Sequence, residues 1–341
     1  MTILCKLSDG DKTWPPPIWL MRQAGRYLPE YNVIRNKAGS FLDLCYKPDY
    51  ASEVTLQPIR RFDLDAAIIF ADILLIIQNF GMGIKFEEKV GPVLEKPLIE
   101  NPVLNVITEV EKSKLVNVGE AINLTRNKLP REKSLIGFCG APWTVVTYMI
   151  NGRSKKDLSQ SVRWMEDNPS LGNDIIDVLV DLSAAYLILQ IKAGADVVKI
   201  FDSWAGVLNE NQFNNWVIKP TSKIIAKVKD VFPKTPIIGF PKGAHQFYEK
   251  YALETGLNII AVDSELDRDY VRKVLQKKVI VQGNISPNAL LKGGEELKND
   301  IELNIKMFRD QPFILGLGHG ILKETPPQHV EDLVQFVRSF N

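Results

Sequence analysis

The feature that most constrains this chain is a rhythm of strand and helix. Short apolar runs rich in β-branched residues occur at 66–70, 135–138, 197–201, 237–240, 259–262, 279–282 and 313–316. Between them lie longer stretches with helical spacing, clearest at 103–127, 175–193 and 216–231. Strands that read as continuous apolar runs are those of a parallel sheet buried on both faces. Their alternation with helices implies βαβ units. Seven visible strands, with room for one more, fit an α/β fold of one domain over 1–341, a single (β/α)8 TIM-type barrel. An open doubly wound sheet is the alternative. No low-complexity linker marks a boundary, and Lys292-Gly293-Gly294-Glu295 reads as a local loop.

Composition narrows the function. Hydrophobic residues make up 45% of the 341 and charged residues 24%, which supports a sizeable core. A formal net charge of +1 leaves no strong field for nucleic acid or an anionic membrane, so any anion site must come from locally placed Arg and Lys. Cys5, Cys45 and Cys139 give no disulfide framework and suit a reducing compartment. The first residues, Met1-Thr2-Ile3-Leu4-Cys5-Lys6, lack a long apolar segment, so no secretory signal is expected and the cytoplasm is the expected location. The most apolar run, 66–77, is interrupted by Asp72 and falls short of the roughly 17–25 residues that cross a bilayer.

Several side chains invite chemistry. In Pro17-Ile18-Trp19-Leu20-Met21-Arg22-Gln23-Ala24-Gly25-Arg26-Tyr27-Leu28-Pro29-Glu30, two arginines stand four apart in a stretch that Pro and Gly make hard to read as a helix. Guanidinium forks match carboxylate and phosphate oxygens in pairs, although Arg22 and Arg26 read equally as exposed surface arginines. Arg35 is a weaker third candidate. Asp72 sits between Phe70-Ala71 and Ile73-Leu74-Leu75, where a carboxylate needs a partner or a task; it would otherwise cap the helix that follows. His319 lies in Gly316-Leu317-Gly318-His319-Gly320, whose glycines allow close backbone approach but do not make a dinucleotide loop. His245, His319 and His329 show no metal-ligand spacing with each other or with the cysteines. Lys199 shares the parity of Phe201 and Ser203 and invites a Schiff-base reading, or it reaches a neighbouring carboxylate.

The motifs, taken in order, resemble the uroporphyrinogen decarboxylase family. The Arg22–Arg26 segment is followed by Thr55-Leu56-Gln57-Pro58-Ile59-Arg60-Arg61-Phe62, Asp65 to Leu74, Gly140-Ala141-Pro142-Trp143-Thr144, Thr147-Tyr148-Met149, Phe201-Asp202-Ser203-Trp204-Ala205-Gly206, Gln282-Gly283-Asn284 and Gly318-His319-Gly320. The match runs from about Trp14 to the last helix. Its motif residues fall just after the expected strands, where barrel chemistry belongs.

The resemblance implies decarboxylation of the four acetate side chains of uroporphyrinogen III in haem biosynthesis, with no metal, no cofactor and a homodimeric assembly. It implies Asp72 and Arg22 as catalytic groups, and a tetrapyrrole site from Arg22, Gln23, Ala24, Gly25, Arg26, Asp72, Tyr148, Ser203 and His319. Asp72 would lie under the macrocycle, accept pyrrole N–H bonds and stabilise the ring cation. Two departures touch loops: Ile285-Ser286 stands where the family usually has Leu-Asp, and Gly316 where many bacterial members have Asn. The rival readings are a zinc-dependent methyltransferase on a related barrel and a non-catalytic tetrapyrrole binder.

Overall fold

The computed structural model describes residues 1–87, 90–100 and 106–340. Among the described residues there are nine strands: β1 Ala66–Ile68, β2 Ile84–Glu87, β3 Gly91–Leu94, β4 Ser134–Gly140, β5 Val197–Asp202, β6 Ile237–Pro241, β7 Ile259–Ala261, β8 Ile280–Gln282 and β9 Phe313–Ile314. Seven of them pair in parallel in the order β1-β4-β5-β6-β7-β8-β9. These are the seven apolar runs of the sequence, and sequential pairing of this kind curls the sheet into the TIM-type barrel.

The eighth position is filled by the Pro-rich N-terminal segment, with no regular strand. On one side Ile18 bridges Leu315 in parallel, and Leu315 N–H donates to Pro17 O at 3.0 Å. On the other, Asp65 N–H donates to Ile18 O at 2.9 Å. The Asp65 side chain accepts the Ile18 N–H at 2.6 Å, completing a link that the short β1 does not make. Prolines cannot donate to a ladder, so the bonds pass through Ile18 and Trp19.

Alternation along the strands divides the core. Trp19, Ala66, Ile136, Val197, Ile238, Phe240, Ile259, Ala261 and Ile314 fill the barrel, joined at one end by Leu4 and Leu7 of the helix Ile3–Ser8. That helix is tied down where Leu4 N–H donates to Ser134 Oγ at 3.0 Å, at the start of β4. The alternate residues face the helix layer. There Gln190, from the long helix Pro169–Lys192, accepts from Phe138 N–H at 2.8 Å and donates to Phe138 O at 2.9 Å.

Two expectations need amending. The helix expected at 103–127 is a helix over Val116–Lys128, preceded by a short 3-10 turn at Val110–Lys112, and 103–105 lie outside the described residues. The antiparallel hairpin β2–β3 was not visible in the apolar pattern; its outer positions Lys85 and Glu87 are exposed. Among the described residues no helix is long and apolar enough to cross a membrane.

Candidate active site

Loops leaving the C-terminal ends of the strands bring the expected residues to one mouth, as the barrel geometry requires. Asp72 stands in the turn after β1. Leu74 N–H donates to its Oδ1 at 2.9 Å, so it does cap the turn that leads into the 3-10 helix Leu75–Phe80. The turn lies against β4 because Gly140 has no side chain; a Cβ there would stand 3.0 Å from Ile73 O. Part of Asp72 stays open to the mouth, while enclosure by protein elsewhere pushes its carboxyl up to about 6. The Leu74 amide and the Arg22 charge oppose that rise.

The segment that fills the eighth barrel position turns directly into the arginine loop. Gln23 is wholly buried and fixes the turn: its Oε1 accepts from Leu20 N–H at 3.0 Å and its Nε2 donates to Ala66 O at 3.0 Å. Both ends of its amide are thus engaged within the fold. Tyr27 Oη donates to Gln23 O at 2.8 Å, closing the loop behind it. Ala24 and Gly25 are half-buried, and a Cβ on Gly25 would come 3.1 Å from Arg22 O. Arg22 itself adopts φ 62°, the left-handed region that a long side chain rarely takes. Strain of this kind concentrates at functional sites. Among the described residues neither Arg22 nor Arg26 has an ion-pair or side-chain hydrogen-bond partner. Both arginines are solvent-exposed at the mouth; desolvation by the surrounding protein lowers the Arg22 pKa, Asp72 raises it, Arg26 lowers it and Tyr148 raises it, which places these four groups in one electrostatic neighbourhood.

Across the mouth, Tyr148 comes from the helix Pro142–Asn151 and is half-buried. Ser203 follows β5 and is held by its neighbours. Thr144 Oγ1 donates to Asp202 Oδ1 at 2.6 Å and accepts from Trp204 N–H at 3.2 Å, clasping Ser203 between them. Asp202 is fully buried, and burial pushes its carboxyl up to about 7. His319 Nδ1 accepts from Gly320 N–H at 2.7 Å, which leaves its Nε2 as the N–H donor. Burial, then Lys242 and Arg22, depress its pKa to about 4. His319 therefore titrates well below an ordinary histidine in this setting.

Glycines lock the mouth loops to one another. A Cβ on Gly206 would come 2.8 Å from Gly243 Cα, and one on Gly318 would come 2.7 Å from Ser264 Cα. Residues the sequence reading passed over enter here. Asp202 was quoted only as part of a motif. Lys242 and Asp263 were not singled out, although each follows an apolar run at the end where the others stand.

Lys199 does not reach a carboxylate. Its Nζ donates to Gln282 Oε1 at 2.9 Å and lies 4.6, 4.8 and 5.1 Å from the ring centres of Trp19, Phe201 and Phe240. Three aromatic faces and an amide surround the amine instead; burial drives its pKa well down. Arg35 packs its guanidinium 5.5 Å from the Phe41 ring centre. Among the described residues no three His, Cys, Asp or Glu side chains stand close enough to hold a metal ion. A separate groove between Arg61–Asp63 and the last helix is lined by arginines already paired, Arg61 with Glu30 and Arg338 with Asp65.

The chain as a whole has clear relatives. A sequence model of the uroporphyrinogen decarboxylase (URO-D) family matches residues 2–340. The uroporphyrinogen decarboxylase of Chelativorans sp. (strain BNC1) is 46% identical over 335 residues, covering 98% of this chain and 97% of that one. That of Mesorhizobium japonicum is 47% identical over 337 residues, covering 99% and 98%. Among solved structures, a methyltransferase from Methanosarcina mazei superposes with a TM-score of 0.80 at 18% identity, covering 99% of this chain and 97% of that one. A B12-independent methionine synthase from Shewanella sp. W3-18-1 gives 0.56 at 13% identity, covering 86% and 85%. At those identities the structural likeness carries the barrel fold alone.

Proposed function

The chain belongs to the uroporphyrinogen decarboxylase family, and from that premise we propose that it converts the four acetate side chains of uroporphyrinogen III to methyl groups, releasing four CO2 and leaving coproporphyrinogen III. Family membership makes it a carboxy-lyase of porphyrin biosynthesis. The observation that carries the finer reading is a single pairing of opposites. A carboxylate with a raised pKa, Asp72, opens on the same mouth as two arginines that have no partner of their own.

The chemistry asks for both. Losing CO2 from an acetate leaves an electron pair that needs a sink. Protonation of a pyrrole carbon makes the substrate that sink. The C–COO⁻ bond then breaks, its electrons neutralise the ring cation, and a proton on the exocyclic carbon completes the methyl group as the ring proton leaves. Asp72, beneath the macrocycle, accepts pyrrole N–H bonds and faces the positive charge as it forms. A fixed charge aimed at charge that develops in the transition state is often the largest catalytic contribution. Arg22 polarises the proton source or the reacting carboxyl, and Arg26 holds a carboxylate that does not react. Tyr148 and Ser203 offer hydroxyls to other carboxylates. His319, neutral with hydrogen on Nε2, donates to one more.

Gln23, Ala24 and Gly25 contribute through the shape of the loop and its backbone. The whole of 1–341 acts as one unit in this reading, with the homodimer that the family resemblance implies and the cytoplasmic location expected from the sequence. Sedimentation of the purified protein tests the dimer.

The deciding experiment is an anaerobic assay with reduced uroporphyrinogen III, with and without a chelator, resolving products by carboxylate number. Products with seven, six, five and four carboxylates that persist with chelator are expected. Tight binding without turnover would favour a tetrapyrrole-binding scaffold. Turnover lost to the chelator would reopen the metal-dependent rival.

A further inference from the structure

Lys242 is the residue of the mouth whose surroundings ask for an explanation. Inside the barrel, Phe240 meets Phe201 edge-on at 6.2 Å between ring centres. Side chains alternate along a strand, so Lys242, two residues on, turns toward the mouth above that pair. Its backbone is fixed on both sides. Lys242 N–H donates to Asp202 O at 3.0 Å, and Lys242 O accepts from Gly206 N–H at 3.1 Å. The side chain therefore leaves from an extension of the β5–β6 ladder (Asp202 pairs with Pro241) and not from a loose loop.

The charges around it are few and identifiable. Asp263 and Arg22 act on Lys242, while Lys242, Arg22, Asp263 and Lys199 act on His319. Asp263 is the one acid in that set, and both of its oxygens already accept hydrogen bonds. Oδ2 accepts from Gly243 N–H at 2.8 Å and from Tyr248 Oη at 2.6 Å, and Oδ1 accepts from Glu265 N–H at 3.0 Å. Among the described residues the Lys242 ammonium makes no ion pair and no hydrogen bond. It is half-buried, short of solvent as well as of an anion. A lysine with nothing to do ordinarily lays its stem on the surface and keeps its head in water. Lys242 instead stands at a mouth already crowded by Arg22.

We propose that Lys242 is a third cationic contact for the substrate, its ammonium holding one carboxylate from the β6 side while Arg22 and Arg26 hold others from the N-terminal loop. This rests on the decarboxylase reading. A macrocycle with carboxylates on every edge cannot be gripped from one side. A lysine suits the far side because its compact charge and rotatable donors fit a carboxylate in several orientations. That tolerance matters if the same site receives acetates of successive rings.

The test is steady-state kinetics of Lys242→Met and Lys242→Arg with uroporphyrinogen III under anaerobic conditions, with circular dichroism to verify folding. One charged hydrogen bond corresponds to roughly a 10–100-fold change in affinity. Lys242→Met should raise KM by that order and leave kcat within about threefold, and Lys242→Arg should recover most of the loss. The Met variant should also flatten the dependence of KM on salt. If Met is not tolerated, Lys242→Gln carries the same comparison. An unchanged KM in a folded variant overturns the proposal, as does a fall in kcat alone or an Arg variant no better than Met. Wild-type protein without turnover would overturn the decarboxylase reading itself, an outcome distinct from active wild type with an indifferent Lys242→Met.

Discussion

A Cβ on Gly320 would stand 2.7 Å from Arg22 Cγ and 2.9 Å from its Nε. The bare backbone of the last mouth loop is therefore the surface on which the Arg22 side chain lies. No other group comes nearer to that position: all three of the closest atoms belong to Arg22. Gly320→Ala should push a flexible side chain aside and disturb little else. We expect a stability change under about 1 kcal/mol and a loss of roughly 10–100-fold in kcat/KM, the scale on which a displaced catalytic group is felt. Urea unfolding and initial rates on the same preparation separate the two. Normal activity in the Ala variant would detach Arg22 from the reaction.

Asp72→Asn should trade activity for stability. Without the negative charge the ring cation loses its stabiliser, and kcat should fall on the order of 10²–10³-fold. The stability side follows from the direction of the pKa shift. The folded carboxyl titrates at about 6 against an ordinary 3.8, so the folded state holds the proton more tightly than the unfolded one. That contribution is fully present below the unfolded value and is lost as pH rises from about 4 through about 6. The Asn side chain never ionises and keeps an oxygen for the Leu74 amide. At pH 7.5 the variant should be more stable than wild type by up to about 3 kcal/mol, less whatever Arg22 loses with its counter-charge. The difference should vanish near pH 4. Denaturant melts at the two pH values decide it, and a variant destabilised at pH 7.5 would sink the account.

Seven staves of the barrel were legible because buried parallel strands are written as unbroken apolar runs. The eighth was not, since Pro15, Pro16 and Pro17 carry no donors and the link on one side uses the Asp65 carboxylate in place of a ladder bond. The hairpin β2–β3 stayed hidden for the opposite reason: alternate positions of β2, Lys85 and Glu87, are exposed, and so its run is broken by charge. Asp72 announced itself as a carboxylate among apolar neighbours. Lys242 could not, because a lysine after a strand is ordinary. Its standing depends on Asp263 being occupied by Gly243, Tyr248 and Glu265, a fact about three-dimensional partners. The same holds for His319, whose pKa is depressed first by burial and then by the Lys242 and Arg22 cations of other loops.

The acid limb of the pH–rate profile should belong to Asp72. In the free enzyme its carboxyl titrates at about 6, and the reaction needs the charged form. Values of kcat/KM should therefore fall below pH 6 by about tenfold per unit. Bound substrate donates N–H bonds to the carboxylate and favours its charged form, so the limb in kcat should lie lower. Rates from pH 4.5 to 8 test both. A kcat/KM that stays flat down to pH 5 would remove Asp72 as the controlling group.

His319 should be silent over the same range. Its pKa lies at about 4, pulled down by burial and by Lys242 and Arg22. The charged form is disfavoured by folding, so this group's contribution to stability is present above the unfolded value near 6.5 and is lost as pH falls through about 4. At neutral pH the ring is a fixed donor through Nε2, since Nδ1 is held by the Gly320 amide. A neutral donor to a substrate carboxylate affects binding before it affects chemistry. His319→Gln, which keeps an N–H at a similar reach, should raise KM by roughly three- to tenfold and change kcat less. In wild-type protein the imidazole C–H resonances of His319 should hold their neutral positions from pH 8 to 5.5. Movement of the His319 signals near pH 6.5, or a fall in kcat that exceeds the rise in KM, would point to proton transfer by the histidine instead.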